Sequence, residues 1–305
     1  MQNLSVLSSL LLAMAGITSI AYGSVLAAES EVGPVATSFF RFALAAPVCI
    51  AFGLLFDRGV ENFVRLFWQW QVWVAGAAFA LTVGLWFQGQ RISSVAGAGA
   101  VHNLAPVFVV GIGWLLFNAL PRPSGLVGLL LAILGGVILV YEDFTALGGE
   151  ALIGDELALA SAVTLAVYFL CIEKVSTSAS AFTVVGLVTA IAAPFALLAA
   201  VLLREPLLPA NSSGWAILFG VALLGQIGGQ AALARASVAI GAFGISTVSL
   251  AEPALAALLA LAILSQPVSI GEWLGISVLA IGVALAQNGF KRLASDFHEP
   301  KAPHT

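Results

Sequence analysis

Long apolar stretches, separated by short polar segments, fill the chain almost from end to end. A helix needs about 20 predominantly apolar residues to cross roughly 30 Å of hydrocarbon. The stretches are continuously apolar rather than alternating, which favours membrane helices over a lipid-facing β-barrel. The pattern predicts ten transmembrane helices, at residues 4–27, 34–56, 71–90, 94–117, 124–142, 156–175, 181–203, 214–233, 239–264 and 270–289.

Turn-forming and charged residues mark the boundaries between these helices. The longest connection, residues 142–155, is acidic and glycine-rich, and residues 291–305 form a polar tail. Cytoplasmic loops carry an excess of Lys and Arg. With a cytoplasmic N-terminus, the outer loops hold Arg91 and Arg204, while the inside holds Arg58, Arg65, Arg122, Lys174, Arg235, Lys291, Arg292 and Lys301. We therefore expect a multi-pass protein of the plasma (bacterial inner) membrane with both termini in the cytoplasm.

Composition narrows the class of protein further. Of 305 residues, 61% are hydrophobic and 9% are charged, against about 25% charged in soluble domains. The net charge of −4 gives no basic surface for nucleic acid. The sequence has no phosphate-binding loop, metal-ligand motif or nucleophile motif, so we expect neither a cofactor nor an enzyme. The chain is predicted to be an all-α, polytopic membrane protein.

The second half of the chain repeats landmarks of the first at one offset. Pro47 and Pro194, each preceded by two alanines, lie 147 residues apart. The same offset relates Trp68 to Trp215, Gly97 to Gly244, Pro106 to Pro253, Gly128 to Gly275 and Gly135 to Gly282. Each half holds five spans, and an odd number means that the second copy enters the membrane from the opposite side. The pattern predicts inverted five-helix repeats at residues 1–145 and 146–290, followed by the tail.

Four stretches carry a resemblance to a known family. They are Phe39-Phe40-Arg41-Phe42-Ala43-Leu44, Asn103-Leu104-Ala105-Pro106, the segment from Gly154 to Tyr168, and Ser249-Leu250-Ala251-Glu252-Pro253 with the glycines that follow. Together they resemble the drug/metabolite transporter superfamily, and specifically its EamA-type members. That resemblance implies ten helices in an inverted five-plus-five arrangement, a central cavity and export of small metabolites. Ala119 and Gln266 stand where the family often has Gly-Glu.

Glu252 is the first candidate for a functional residue. It lies about a dozen residues into the ninth predicted span, near mid-depth at about 1.5 Å per residue. A carboxylate there costs roughly 2.5–3.5 kcal/mol, which a cavity, a cationic partner or a proton must offset. The residue is interpreted as a contact for a cargo amine or as a proton-coupling carboxylate. The alternative is a neutral or paired glutamate that secures helix packing.

Other polar residues and prolines within the spans are candidates for the cavity. Pro106 and Pro253 each remove a helix hydrogen bond and are interpreted as hinges or gates. If both helices line the cavity, His102 and Glu252 should face each other across the pseudo-twofold axis. Arg41 is expected to reach the outer surface or to pair with Glu29 or Glu31, with contact to an anionic cargo as the alternative. The remaining cavity candidates are Asn103, Tyr22, Trp86, Gln90, Tyr168, Gln226, Gln230 and Ser249.

These observations favour a carrier that exports small amphipathic metabolites, with amino acids or their derivatives as the preferred cargo, by alternating access. Proton antiport through Glu252 and uncoupled exchange both stay open. The expected partners are a small-molecule cargo, the lipid bilayer and protons, but no nucleic acid, and the pattern does not choose between monomer and homodimer. Alternative cargoes are drug-like, sugar or nucleoside-type solutes. A membrane protein that transports nothing is the remaining alternative.

Overall fold

A computed structural model describes residues 5–57, 60–92, 101–117, 121–144, 151–264 and 270–287. Within these ranges the chain is helical and contains no strand. The α-helices are α1 (Val6–Ala28), α2 (Pro34–Phe56), α3 (Glu61–Phe67), α4 (Trp70–Ile92), α5 (Ala105–Phe117), α6 (Pro123–Phe144), α7 (Ala151–Ser176), α8 (Ala181–Leu202), α9 (Ser212–Val221), α10 (Ala231–Ser249), α11 (Glu252–Leu264) and α12 (Ile270–Gln287). A π-helical segment, Ala222–Gln230, joins α9 to α10.

The predicted all-α membrane fold is confirmed. Six helical stretches of the described residues are long and apolar enough to cross a bilayer, and shorter apolar helices lie in α5, α6 and α12. The second predicted span, residues 34–56, coincides with α2. Most other edges agree within a few residues, because lipid requires each span to satisfy its backbone within one continuous helix.

The structure differs from the prediction in three segments of the chain. The sixth span begins at Ala151 rather than at residue 156. Residues 234–238 are helical rather than a loop, because this alanine-rich segment contains neither proline nor glycine. The chain turns instead at Gly241, whose φ of 67° suits glycine, and Ala242 then donates its N–H to Glu173 Oε2 at 2.8 Å. The short helix α3 lies in a segment that was predicted as a loop.

Corresponding helices of the two repeats pack antiparallel. Along α2 and α8, Gly53 packs against Thr183, and Gly186 packs against Ile50. A carboxylate accepts a backbone hydrogen bond at each end of this helix pair. Asp57 accepts the Ser180 N–H at 3.0 Å just before α8, and Glu205 accepts the Ala36 N–H at 2.9 Å in the first turn of α2. Each acid follows one helix and caps the other, as expected for inverted repeats.

The fourth and ninth spans are both interrupted, at equivalent positions. Leu104 donates its N–H to the Val101 carbonyl at 3.0 Å, and Ala251 donates to the Val248 carbonyl at 3.0 Å. These two turns are related by the 147-residue offset. Each is followed two residues later by a proline, Pro106 or Pro253, which has no N–H to continue the helix. The interruptions place irregular backbone inside the bundle.

Candidate functional site

Polar side chains from both repeats meet halfway along the α2–α8 pair. The register of that pair brings Ala45 and Ala192, which are equivalent under the offset, to nearly the same level. This level is therefore the middle of the pseudo-twofold arrangement, where transporters with inverted repeats bind their cargo. We call the polar residues that meet near it the central cluster: Ser24, Arg41, Tyr168, Thr189, Gln226, Gln230 and Glu252.

Arg41 points into the protein and contacts the π-helical segment. Its Nε donates to Gln226 Oε1 at 3.0 Å, and its Nη2 donates to the Gly225 carbonyl at 3.2 Å. Gln226 is 1% exposed, and its Nε2 donates to Thr189 Oγ1 at 2.8 Å. The expectation that Arg41 pairs with Glu29 or Glu31 is therefore wrong. Glu31 instead accepts the Ala210 N–H at 2.9 Å in another loop.

Glu252 begins α11, directly after the second helix interruption. Its Oε1 accepts a hydrogen bond from Ser24 Oγ at 3.1 Å, and it interacts electrostatically with Arg41. Arg41 and Glu252 are each partly accessible. The structure thus gives each of these two opposite charges neutral hydrogen-bond partners of its own.

An aromatic pair closes one side of the central cluster. Tyr168 donates its hydroxyl hydrogen to Gln230 Oε1 at 2.7 Å and stacks on Phe79, with ring centroids 4.5 Å apart. The Arg41 guanidinium carbon lies 6.0 Å from the centroid of the Phe79 ring, within range of a cation–π interaction. Gln226 and Gln230 both belong to the π-helical segment, a geometry that is found frequently at functional sites.

His102 belongs to a second polar group, with Ser161 and Trp86. Its Nδ1 is 2.7 Å from Ser161 Oγ, and its ring stacks on Trp86 at 5.0 Å. Ser161 already donates its hydroxyl hydrogen to the Ala158 carbonyl at 2.6 Å, so we assign the ring hydrogen to His102 Nδ1. The buried Trp86 Nε1 has no hydrogen-bond partner among the described residues. The face-to-face arrangement of His102 and Glu252 across the pseudo-twofold axis stays a prediction.

The other candidates lie near the two helix interruptions or within the helices. A small cavity between the interruptions is lined by Asn103, Leu104 and Leu250, together with residues of α6 and α12. Ser249 Oγ donates to the carbonyl of Ile245 in its own helix at 2.8 Å. Pro106 is buried, Tyr22 is partly buried on α1, and Pro253 lies at the start of α11. Gln90 belongs to α4, but its side chain is outside the described part of the structure.

The sequence pattern did not single out Ser24, Thr189 or Ser161. Serine and threonine in apolar helices commonly bond to carbonyls of their own helix. Ser24 Oγ lies 3.1 Å from both the Ile20 carbonyl and Glu252 Oε1, so these two acceptors share its one hydrogen. A hydroxyl that bridges helices looks the same in sequence. The signal that finds these residues is the contact register between the repeats, which only the folded structure supplies.

Comparisons with known proteins agree with this architecture. The family model described as the EamA-like transporter family matches twice, over residues 7–141 and 152–287. A solved crystal structure described only as that of a protein is similar in fold, with a TM-score of 0.77 and 22% sequence identity. The match covers 94% of this chain and 100% of that one. No curated protein matches.

Proposed function

Since the chain belongs to the EamA-like transporter family, whose members are integral membrane transporters of small solutes, we propose that it exports small zwitterionic metabolites, namely amino acids or their derivatives. One observation carries this proposal: a cation and an anion, one from each repeat, lie within electrostatic range of each other in the middle of the bundle. Arg41 comes from the first repeat, and Glu252 comes from the second.

The chemistry of the central cluster fits a cargo that carries both charges. A buried charge whose hydrogen-bond partners are all neutral is costly to hold in a protein interior. A zwitterion supplies the missing partners, because its carboxylate pairs with Arg41 and its ammonium pairs with Glu252. Cargo that bears several phosphates fits poorly, since Arg41 is the cation that the central cluster offers.

Alternating access follows from the inverted repeats. Two similar bundles in opposite orientations exchange conformations and open the same central site to one side and then to the other. The paired interruptions next to Pro106 and Pro253 supply places where the helices can bend. Since Glu252 begins α11 directly after one interruption, a cargo bound to this carboxylate also contacts a moving element.

Counterflow in proteoliposomes tests the proposed cargo class. Purified protein should take up a radiolabelled amino acid in a saturable manner. The methyl ester of that amino acid lacks the carboxylate charge and its N-acetyl form lacks the ammonium. Each should therefore compete at least about tenfold more weakly, the equivalent of about 1.4 kcal/mol. Equal competition by all three compounds, or no uptake at all, contradicts the proposal.

The membrane orientation gives a separate prediction. Leu208 and Val60 are both well exposed, at 72% and 59%. With cytoplasmic termini, Leu208 faces the outside and Val60 faces the cytoplasm. A membrane-impermeant maleimide should therefore label a Leu208→Cys variant on intact cells, but a Val60→Cys variant only after permeabilisation. The native Cys49 and Cys171 are buried, so wild-type protein serves as the unlabelled control. Labelling of both variants from the same side would refute the orientation.

A further inference from the structure

We propose that Thr189, acting through Gln226, is a positioning residue that fixes the Arg41 guanidinium for recognition of a cargo carboxylate. This inference rests on the proposed function, because it explains how the same site distinguishes a zwitterion from a simple amine. Thr189 is on α8 and is completely buried. It belongs to the second repeat, whereas Arg41 belongs to the first.

The hydrogen bonds of Arg41 leave one edge of the guanidinium open. A guanidinium has five N–H donors in a fixed planar fork. Gln226 Oε1 takes the Nε hydrogen, and the Gly225 carbonyl takes one Nη2 hydrogen. Both Nη1 hydrogens and the second Nη2 hydrogen have no partner among the described residues. The open edge is therefore the Nη1–Nη2 edge, which binds a carboxylate through two parallel hydrogen bonds.

Thr189 anchors the Gln226 amide in the position from which its oxygen reaches Arg41. A guanidinium only donates, so the amide must present its oxygen rather than its NH₂ group. The bond from Gln226 Nε2 to Thr189 Oγ1 holds the NH₂ group on the opposite side. Both side chains are almost fully buried, so water does not replace this bond. Without the threonine hydroxyl the buried NH₂ group has no partner, and the amide is free to move away from Arg41.

A released Arg41 would lose its orientation toward the cargo. Gln226 Oε1 and the Gly225 carbonyl hold the Nε–Nη2 edge of the guanidinium. If Gln226 no longer held Nε, the Nη1–Nη2 edge would lose the fixed position in which it meets a carboxylate. Glu252 has its own hydrogen bond from Ser24, so its contact with a cargo ammonium does not depend on Thr189. Loss of Thr189 should therefore weaken binding of carboxylate-bearing cargo selectively.

Transport kinetics of Thr189→Val in proteoliposomes test this role. The variant should raise the KM for the amino acid about tenfold or more, with little change in kcat. The reason is that Thr189 supports the bond from Arg41 to Gln226, and hydrogen bonds to charged groups are among the stronger ones. The inhibition constant of the matching decarboxylated amine should stay within about twofold of the wild-type value, because that compound does not use Arg41. Thr189→Ser restores the hydroxyl and should restore the KM.

Two further variants separate positioning from folding. Gln226→Met removes the amide at similar volume and should reproduce the selective KM effect. Thr82→Val removes another buried hydroxyl that bridges two helices, through its 2.8 Å bond to Thr164, and should leave the selectivity between amino acid and amine unchanged. Equal losses for amino acid and amine in Thr189→Val, or no loss for either, overturn the inference. A wild-type protein that itself fails to prefer the amino acid over the amine would refute the proposed function and this inference with it.

Discussion

A Glu252→Gln variant should lose roughly 30- to 5000-fold in transport efficiency for a zwitterionic amino acid. The estimate follows from the about 2–5 kcal/mol that is lost when one member of a buried, hydrogen-bonded charge pair is removed. Glutamine has nearly the same volume and can still accept the hydrogen bond from Ser24. The fold should therefore persist, while the cargo ammonium loses its anionic partner and Arg41 loses the nearby negative charge. Initial rates of counterflow at several cargo concentrations measure the effect.

The same variant decides between proton antiport and uncoupled exchange. If Glu252 releases its proton on binding cargo, wild-type flux should change with pH and should move protons that a dye trapped in the vesicles reports. The residual flux of Glu252→Gln should then be independent of pH. Glu61→Gln, on the short helix α3, removes a carboxylate far from the central cluster in sequence and serves as the matched control. Full flux with an unchanged pH profile in Glu252→Gln would exclude both roles of this residue.

Much of the fold was predictable because the lipid environment leaves few ways to satisfy the backbone hydrogen bonds. Each span must satisfy its backbone internally, so hydropathy alone located α2. The offset between Pro47 and Pro194 indicated the repeat, and the odd number of spans in each half indicated its inversion. Elements outside the hydrocarbon are under no such constraint. The seven-residue helix α3 is too short to cross a bilayer and contains Glu61 and Arg65, so its hydropathy does not indicate a span. Residues 234–238, predicted as a loop that carries Arg235, are helical because one arginine does not interrupt a helix.

The central cluster was predictable only in part. Burial of Gln226 and Gln230 follows from the cost of an amide in lipid, and Glu252 stood out as a carboxylate at mid-depth. The partners did not follow, because the nearest acids in sequence to Arg41 are Glu29 and Glu31, whereas its bonds reach residues 184 and 185 positions away. Such pairings depend on the register between antiparallel helices of different repeats. Hydropathy carries no information about that register.

The contact between α6 and α12 should fail if one glycine is replaced, because the two backbones touch there. At Gly135 an added Cβ would lie 2.8 Å from the Gly275 carbonyl oxygen and would collide with the backbone of Leu279. Backbone atoms cannot rotate away as a side chain can, so the helices must separate. We expect Gly135→Ala to cost about 3 kcal/mol, the upper part of the usual range for overpacking, although alanine is the better helix former.

The neighbouring glycine supplies the control for this prediction. At Gly136 an added Cβ meets nothing within 4 Å, so Gly136→Ala should match or slightly exceed the wild-type stability. Thermal unfolding of the detergent-purified variants, followed by size-exclusion chromatography, should show a Tm roughly 5–10 °C lower for Gly135→Ala. Equal Tm values for the two variants would mean that α6 and α12 do not pack through Gly135. Since Gly135 and Gly282 are equivalent under the offset, Gly282→Ala should show a comparable loss, because its Cβ would lie 2.8 Å from the Gly128 carbonyl oxygen.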